Sequence, residues 1–132
     1  SVYAKVDNPS YRLLKAHTPG PYTFVLSASR DVPRRLQHPK RRTVGIRVPA
    51  HPVCSALLAE LGAPILSTTL RLEGEELPLS EGDAIQARVG RQLDLLLDAG
   101  ACGMEPTSLV DLSGDHPQVL RAGRGDVSAF AP

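Results

Sequence analysis

The stretch Thr43-Val-Gly-Ile-Arg-Val-Pro-Ala-His51 constrains the folding of this chain more than any other. Residues 43–48 are rich in β-branched side chains and bounded by turn formers, which predicts a buried strand. Pro49 ends that strand, and Pro52 suits the first turn of a following helix. Alternation puts Thr43, Gly45 and Arg47 on one face and turns Val44, Ile46 and Val48 toward the core. Arg47 stands where an apolar residue is expected, so its guanidinium needs an anionic partner or a path to water. Gly45, between Thr43 and Arg47, leaves room for a ligand to approach the backbone.

A chain of 132 residues fits one domain, 1–132, able to bury a core without staples. Aromatic residues make up only 4% and tryptophan is absent, which predicts an aliphatic core of Leu, Val, Ala and Ile. The net charge of +1 is close to neutral. Yet Arg30, Arg34, Arg35, Lys40, Arg41, Arg42 and Arg47 fall within eighteen positions and form a patch that suits phosphate. Cys54 and Cys102 are far apart and make no C-x-x-C pair, which predicts reduced thiols and a cytoplasmic protein. Cys54 is expected in the core of a helix face. No signal peptide and no membrane-length apolar run is present.

Strand and helix signals alternate at first. Residues 2–6 suit a short strand, and Asp7-Asn8-Pro9 starts a helix to about Ala16. Residues 22–26 form a strand, and a short basic helix is expected over 34–37. Pro52 to Leu61 reads as an amphipathic helix, with Val53, Leu57, Leu58 and Leu61 on its apolar face and Gly62 as its stop. Strands are expected over 64–69 and 93–97, and a helix capped by Ser80 or Asp83 runs to Val89. Residues 108–112 and 119–121 read as an antiparallel pair. The pattern predicts an α/β (α+β) fold: a twisted mixed β-sheet with flanking helices.

Four scattered histidines (His17, His38, His51 and His116) offer no metal-ligand spacing, and neither a G-x-S-x-G elbow nor a Walker loop occurs. Cys102, near a Gly-rich loop, is the one nucleophile candidate, but nothing around it marks a lowered thiol pKa. What recurs is strand ends carrying hydroxyls or a guanidinium: Thr43 and Arg47, Ser67 and Thr69, Thr107 and Ser108, and Arg121. Converging, such groups suit phosphate plus carboxylate, as in a nucleotide with an amino acid. The plain alternative is that these hydroxyls form turns.

Five segments carry a resemblance. Pro19-Gly-Pro-Tyr-Thr23, residues 43–52, Pro64-Ile-Leu-Ser-Thr-Thr69, Pro106-Thr-Ser-Leu-Val-Asp111 and Leu120-Arg-Ala-Gly123 resemble, in order and spacing, the motifs of the YrdC-like threonylcarbamoyl-AMP synthases. Tyr3 to Asn8, Val32-Pro-Arg-Arg-Leu36 and the Gly-Asp-Val tail are most similar to the YciO branch. The resemblance implies a YrdC/RibB-like fold with a concave basic cavity. There ATP, L-threonine and bicarbonate condense to threonylcarbamoyl-AMP and pyrophosphate, a nucleotidyltransferase-type step in tRNA modification. ATP is substrate rather than cofactor, Mg2+ accompanies it, and no residue reacts covalently. Carried over by position, the motifs imply that Thr43, Thr69 and Arg121 face the nucleotide and that Arg47, Ser67 and Thr107 face threonine.

Two departures matter. Leu70 and Arg71 stand where the synthase motif has alanine and asparagine, which points toward the YciO-like paralogues. The family's N-terminal portion, with a substrate-binding threonine and a phosphate-gripping K-x-R motif, has no counterpart here; Lys40-Arg41-Arg42 is not that motif. The expectation is a piece of a protein of roughly 200 residues that binds ATP poorly by itself. The competing reading is a non-catalytic module for double-stranded RNA or tRNA, carried by Arg34, Arg35, Lys40, Arg41 and Arg42.

Overall fold

The computed structural model describes residues 2–101, 103 and 105–131. Cys102 lies outside the described residues. The chain divides into two compact units: one runs through His51 and resumes at Pro106, and the other is Pro52–Glu105.

In the first unit, among the described residues, five strands form one mixed sheet: β1 (Ala4–Lys5), β2 (Tyr22–Ala28), β3 (Thr43–Ile46), β4 (Ser108–Asp111) and β5 (Gln118–Arg121). β2 is the hub. β3 pairs along one edge, antiparallel, from Phe24 opposite Ile46 to Ser27 opposite Thr43. The other edge is shared. β4 runs parallel beside its first half and β1 antiparallel beside its end. β5 closes the sheet antiparallel to β4, with an irregularity after Leu109.

Strand alternation sorts the two faces. Tyr22, Phe24 and Leu26 of β2 are buried, while Thr23, Val25 and Ser27 are half-buried. The parallel register sets Val110 opposite Phe24, and these are 0% and 1% exposed. Ala4, Leu112 and Phe130 complete the core, and Leu13 and Leu14 of helix α1 (Asn8–His17) pack against it. The core is less aliphatic than composition predicts. Both phenylalanines of the chain and Tyr22 meet at its centre, with Tyr22 and Phe24 stacked at 5.6 Å and Phe130 edge-on to Phe24 at 5.9 Å. A low aromatic content does not exclude an aromatic core when the few rings converge. Such ring pairs add about 0.5–1.5 kcal/mol beyond the area they bury.

Helix α1 starts as its sequence dictates. Asp7 is the N-cap and accepts from Ser10 N at 2.9 Å, with Pro9 in the first turn. At its end, the Thr18 hydroxyl donates to the Leu14 carbonyl at 2.7 Å. The basic helix expected over 34–37 is a single 3-10 turn, Arg34–Leu36, because Pro33 and Pro39 leave no room for a longer one. The central strand is also shorter than predicted. It stops at Ile46, and Val48 is 43% exposed rather than in the core.

In the second unit, helix α2 spans Pro52–Leu61 and ends at Gly62, whose φ of 69° closes the last turn in a conformation that favours glycine. Its apolar face is not buried as its periodicity predicts: Leu57 and Leu61 are exposed and Cys54 is half-buried. Periodicity calls for a helix without supplying what covers it. Helix α3 spans Gly82–Val89 with Glu81 at the N-cap position, so neither Ser80 nor Asp83 caps it. Residues 64–69 and 93–97 form no strand. They have the right residue types, but no described segment pairs with them, and β propensity without a partner makes no sheet.

Phe24→Ala is expected to cost about 3–5 kcal/mol in urea unfolding, while Tyr11→Ala on the exposed side of α1 changes stability by no more than about 0.5 kcal/mol. Equal effects would contradict this core. The Ser10 N–H also holds the Asp7 carboxyl below its ordinary 3.8. A depressed carboxylate stabilises the fold above its unfolded pKa, and that contribution fades as pH falls through the folded value. Asp7→Ala should therefore lower Tm at neutral pH, with the gap to wild type narrowing below about pH 4. A gap that stays constant with pH would contradict the charged cap.

Candidate functional site

The face of the sheet opposite the core gathers hydroxyls and guanidiniums. Register places Thr23 opposite Leu109, and Leu109 opposite Arg121. On the other edge of β2, Arg47 follows directly on Ile46, the partner of Phe24. Continuing that register one residue sets Arg47 beside Thr23. The row across the sheet is thus Arg47, Thr23, Leu109 and Arg121, a guanidinium at each end. Three strand spacings separate those ends, about 14 Å between backbones. Arg121 reaches inward to Thr107, and the span beyond it has room for an amino-acid-sized ligand. Gly45 opens the floor: a Cβ built there would meet only the Thr23 methyl, at 3.5 Å.

Thr107, two residues before Leu109, enters the same row. Its hydroxyl lies 2.7 Å from the Thr23 hydroxyl. Whichever of the two donates, one hydroxyl hydrogen remains for a ligand. Arg121 donates from Nε to the Thr107 carbonyl at 2.9 Å and from Nη2 to the Thr107 hydroxyl at 3.2 Å. Two of its five N–H donors are used, which fixes the guanidinium and leaves three free.

The chain after β5 holds Thr107 in place. Ser108, fully buried, donates to the Gly125 carbonyl at 2.6 Å and accepts from Gly123 N at 2.9 Å. Arg124 N reaches the Pro106 carbonyl at 2.9 Å. Gly123 lies so close that a Cβ there would overlap the Pro106 carbonyl oxygen, and one on Gly125 would strike the Tyr22 ring. Tyr22 in turn donates to the Asp126 carbonyl at 2.9 Å. Hydrogen bonds from Ser128 to the Asp126 carboxylate, aided by the charge of His17, keep that carboxyl below its ordinary range.

The predicted residues fare differently. Thr107 and Arg121 are brought into contact although the motifs assign them to different ligands. Thr43 shares the face of Gly45 but is only 8% exposed, and its backbone carbonyl accepts from His38 N at 3.0 Å. Arg47 is exposed, without a hydrogen-bond or ion-pair partner among the described residues. The buried strand that would have demanded an anion for it ends one residue earlier, so water satisfies it. Ser67 and Thr69 are exposed on an irregular segment of the second unit. Thr23 is the residue that sequence reasoning missed. Its signal was present: it alternates with the apolar Tyr22 and Phe24 and so had to face away from the core.

Comparison with known proteins agrees with the architecture. The Sua5/YciO/YrdC family model, described as telomere recombination, matches residues 1–123. YciO of Escherichia coli is 48% identical over 130 residues, which is 98% of this chain and 63% of YciO. The crystal structure of E. coli YciO superposes with a TM-score of 0.91 over the same shares. A threonylcarbamoyl-AMP synthase of Xanthomonas campestris is 33% identical over 97 residues, 73% of this chain and 51% of that enzyme. P. abyssi Sua5 complexed with L-threonine matches at a TM-score of 0.82 and 26% identity, over 93% of this chain and 36% of that one. The chain thus spans less than two thirds of the length of each. Its mixed sheet of five strands with three helices among the described residues is the α+β fold of these structures, and the chain belongs to the Sua5/YciO/YrdC family.

Proposed function

We propose that this chain binds L-threonine and ATP and takes part in threonylcarbamoyl-AMP synthesis for tRNA modification, in the cytoplasm. The observation that carries the reading is the row of free donors on one sheet face: Arg47 at one end, the Thr23–Thr107 hydroxyl pair within it and Arg121 at the other. The similarity to a synthase from X. campestris and to a threonine-complexed Sua5 supports it.

In this reading Arg47 holds the threonine carboxylate as a fork, and Thr107 orients the amino acid. Arg121 and Thr43 serve the nucleotide. The threonine amine forms an N–C bond to bicarbonate carbon with loss of water. The resulting carbamate oxygen attacks the α-phosphorus of ATP, and pyrophosphate leaves. Mg2+ arrives with ATP as its salt. Side chains contribute positioning and charge stabilisation, with no covalent intermediate on the protein.

The test is pyrophosphate release by the intact protein, dependent on threonine, bicarbonate and ATP together. Arg47→Ala should raise the KM for threonine at least about tenfold, the loss of one charge-assisted fork. Thr107→Val should weaken threonine binding and remove the Arg121 Nη2 bond to the hydroxyl while leaving its Nε bond to the carbonyl, lowering turnover. A KM unchanged in Arg47→Ala contradicts the assignment. An absence of turnover with salt-sensitive binding to duplex RNA retained would favour the non-catalytic RNA module.

A further inference from the structure

A second concentration of charge lies at the far end of β2, away from the row just described. The turn after β2 and the loop before β3 border a half-open cavity of about 810 Å3, lined by Lys5, Arg30, Arg34, His38, Arg41 and Arg42 among others. No Asp or Glu lines it. The one salt bridge among the described residues, between Arg88 and Glu75, is in the other unit, so these cations face one another unneutralised. The Ser27 hydroxyl adds a neutral group to the same wall, while the Ser29 hydroxyl donates to the Val2 carbonyl.

The loop backbone that carries His38, Arg41 and Arg42 is held in place before any ligand arrives. The loop closes on itself: His38 N donates to the Thr43 carbonyl at 3.0 Å and Arg42 N to the His38 carbonyl at 2.9 Å. Inside it, His38 Nδ1 accepts from Lys40 N at 3.2 Å and from Arg41 N at 3.1 Å. That acceptor role at Nδ1 leaves Nε2 as the ring nitrogen that can donate. Arg42 sits at φ 52°, a left-handed conformation disfavoured for a non-glycine residue. The hydrogen bond from Arg42 N to the His38 carbonyl holds the backbone in that conformation.

We infer that this cavity is an anion site for a compact oligophosphate, a small ligand carrying two or more adjacent phosphates. Its size lies in the range of small-molecule sites. Several guanidiniums around one concavity match the closely spaced oxygens of linked phosphates better than a single carboxylate or phosphate. A nucleic acid backbone offers phosphates one at a time along a stripe, whereas these cations converge on one concavity. The cavity shares no lining residue with Arg47, Thr107 or Arg121, so it stands or falls independently of the threonine reading.

Isothermal titration of the intact protein with inorganic tripolyphosphate, at about 50 mM salt where screening is weak, tests this. Wild type should bind tripolyphosphate well ahead of orthophosphate. Arg34→Gln with Arg41→Gln, both at exposed positions, should weaken binding at least about tenfold. Arg42→Gly removes a guanidinium and relieves the backbone, so it should weaken binding without lowering Tm. Threonine binding should be unchanged in these variants. Failure of wild type to bind tripolyphosphate, or equal binding by the double variant, would overturn the site. So would a short RNA duplex that binds through these arginines while tripolyphosphate does not displace it.

Discussion

Everything in the first unit hangs on the alternation of β2. Seven residues supply hydrogen bonds to three other strands and divide two environments between odd and even positions. Tyr22, Phe24 and Leu26 hold the core, while Thr23, Val25 and Ser27 look the other way. A one-residue slip would bury Thr23 and expose Phe24, so core packing fixes the register, and with it the position of every polar group on the opposite face. The donor row therefore needs no stabilising interactions of its own. It is the reverse side of a packed hydrophobic layer.

The tail after β5 couples that layer to the polar face a second time. Ser108 belongs to the core face by register, yet its hydroxyl binds Gly123 and Gly125, and the same turn carries Thr107. Two glycines are required where the tail passes the Pro106 carbonyl and the Tyr22 ring. Sequence resemblance alone marks Gly123 as part of a motif; the packing gives the physical reason, a backbone too close for any Cβ.

What the sequence made legible follows from which interactions are local. Helix α1 with its Asp7 cap, the strand at Tyr22 and helix α2 with its Gly62 stop are written in side-chain periodicity and backbone preference, and they form as read. Pairing is not local. Residues 64–69 and 93–97 look like strands and are not, because nothing in a single segment specifies a partner. Arg47 was legible as unusual, and of the two outcomes its sequence allowed, an anionic partner or a path to water, the structure shows the second. Its strand ends at Ile46, and its guanidinium is free because it reaches water, not because it is buried and in need of an anion. Thr23 was legible from alternation and overlooked beside its apolar neighbours.

The central claim is that the face of β2 and β3 opposite the core receives the ligand. Gly45→Val tests it most directly. The backbone there has no positive φ, and a side chain meets only the Thr23 methyl at 3.5 Å, so valine is compatible with the strand and suits it better than glycine. It also fills the space beside Arg47 and over the Thr23 methyl. The account predicts a variant at least as stable as wild type that no longer binds L-threonine in calorimetric titration. A stable Gly45→Val variant that binds threonine as wild type does would contradict it.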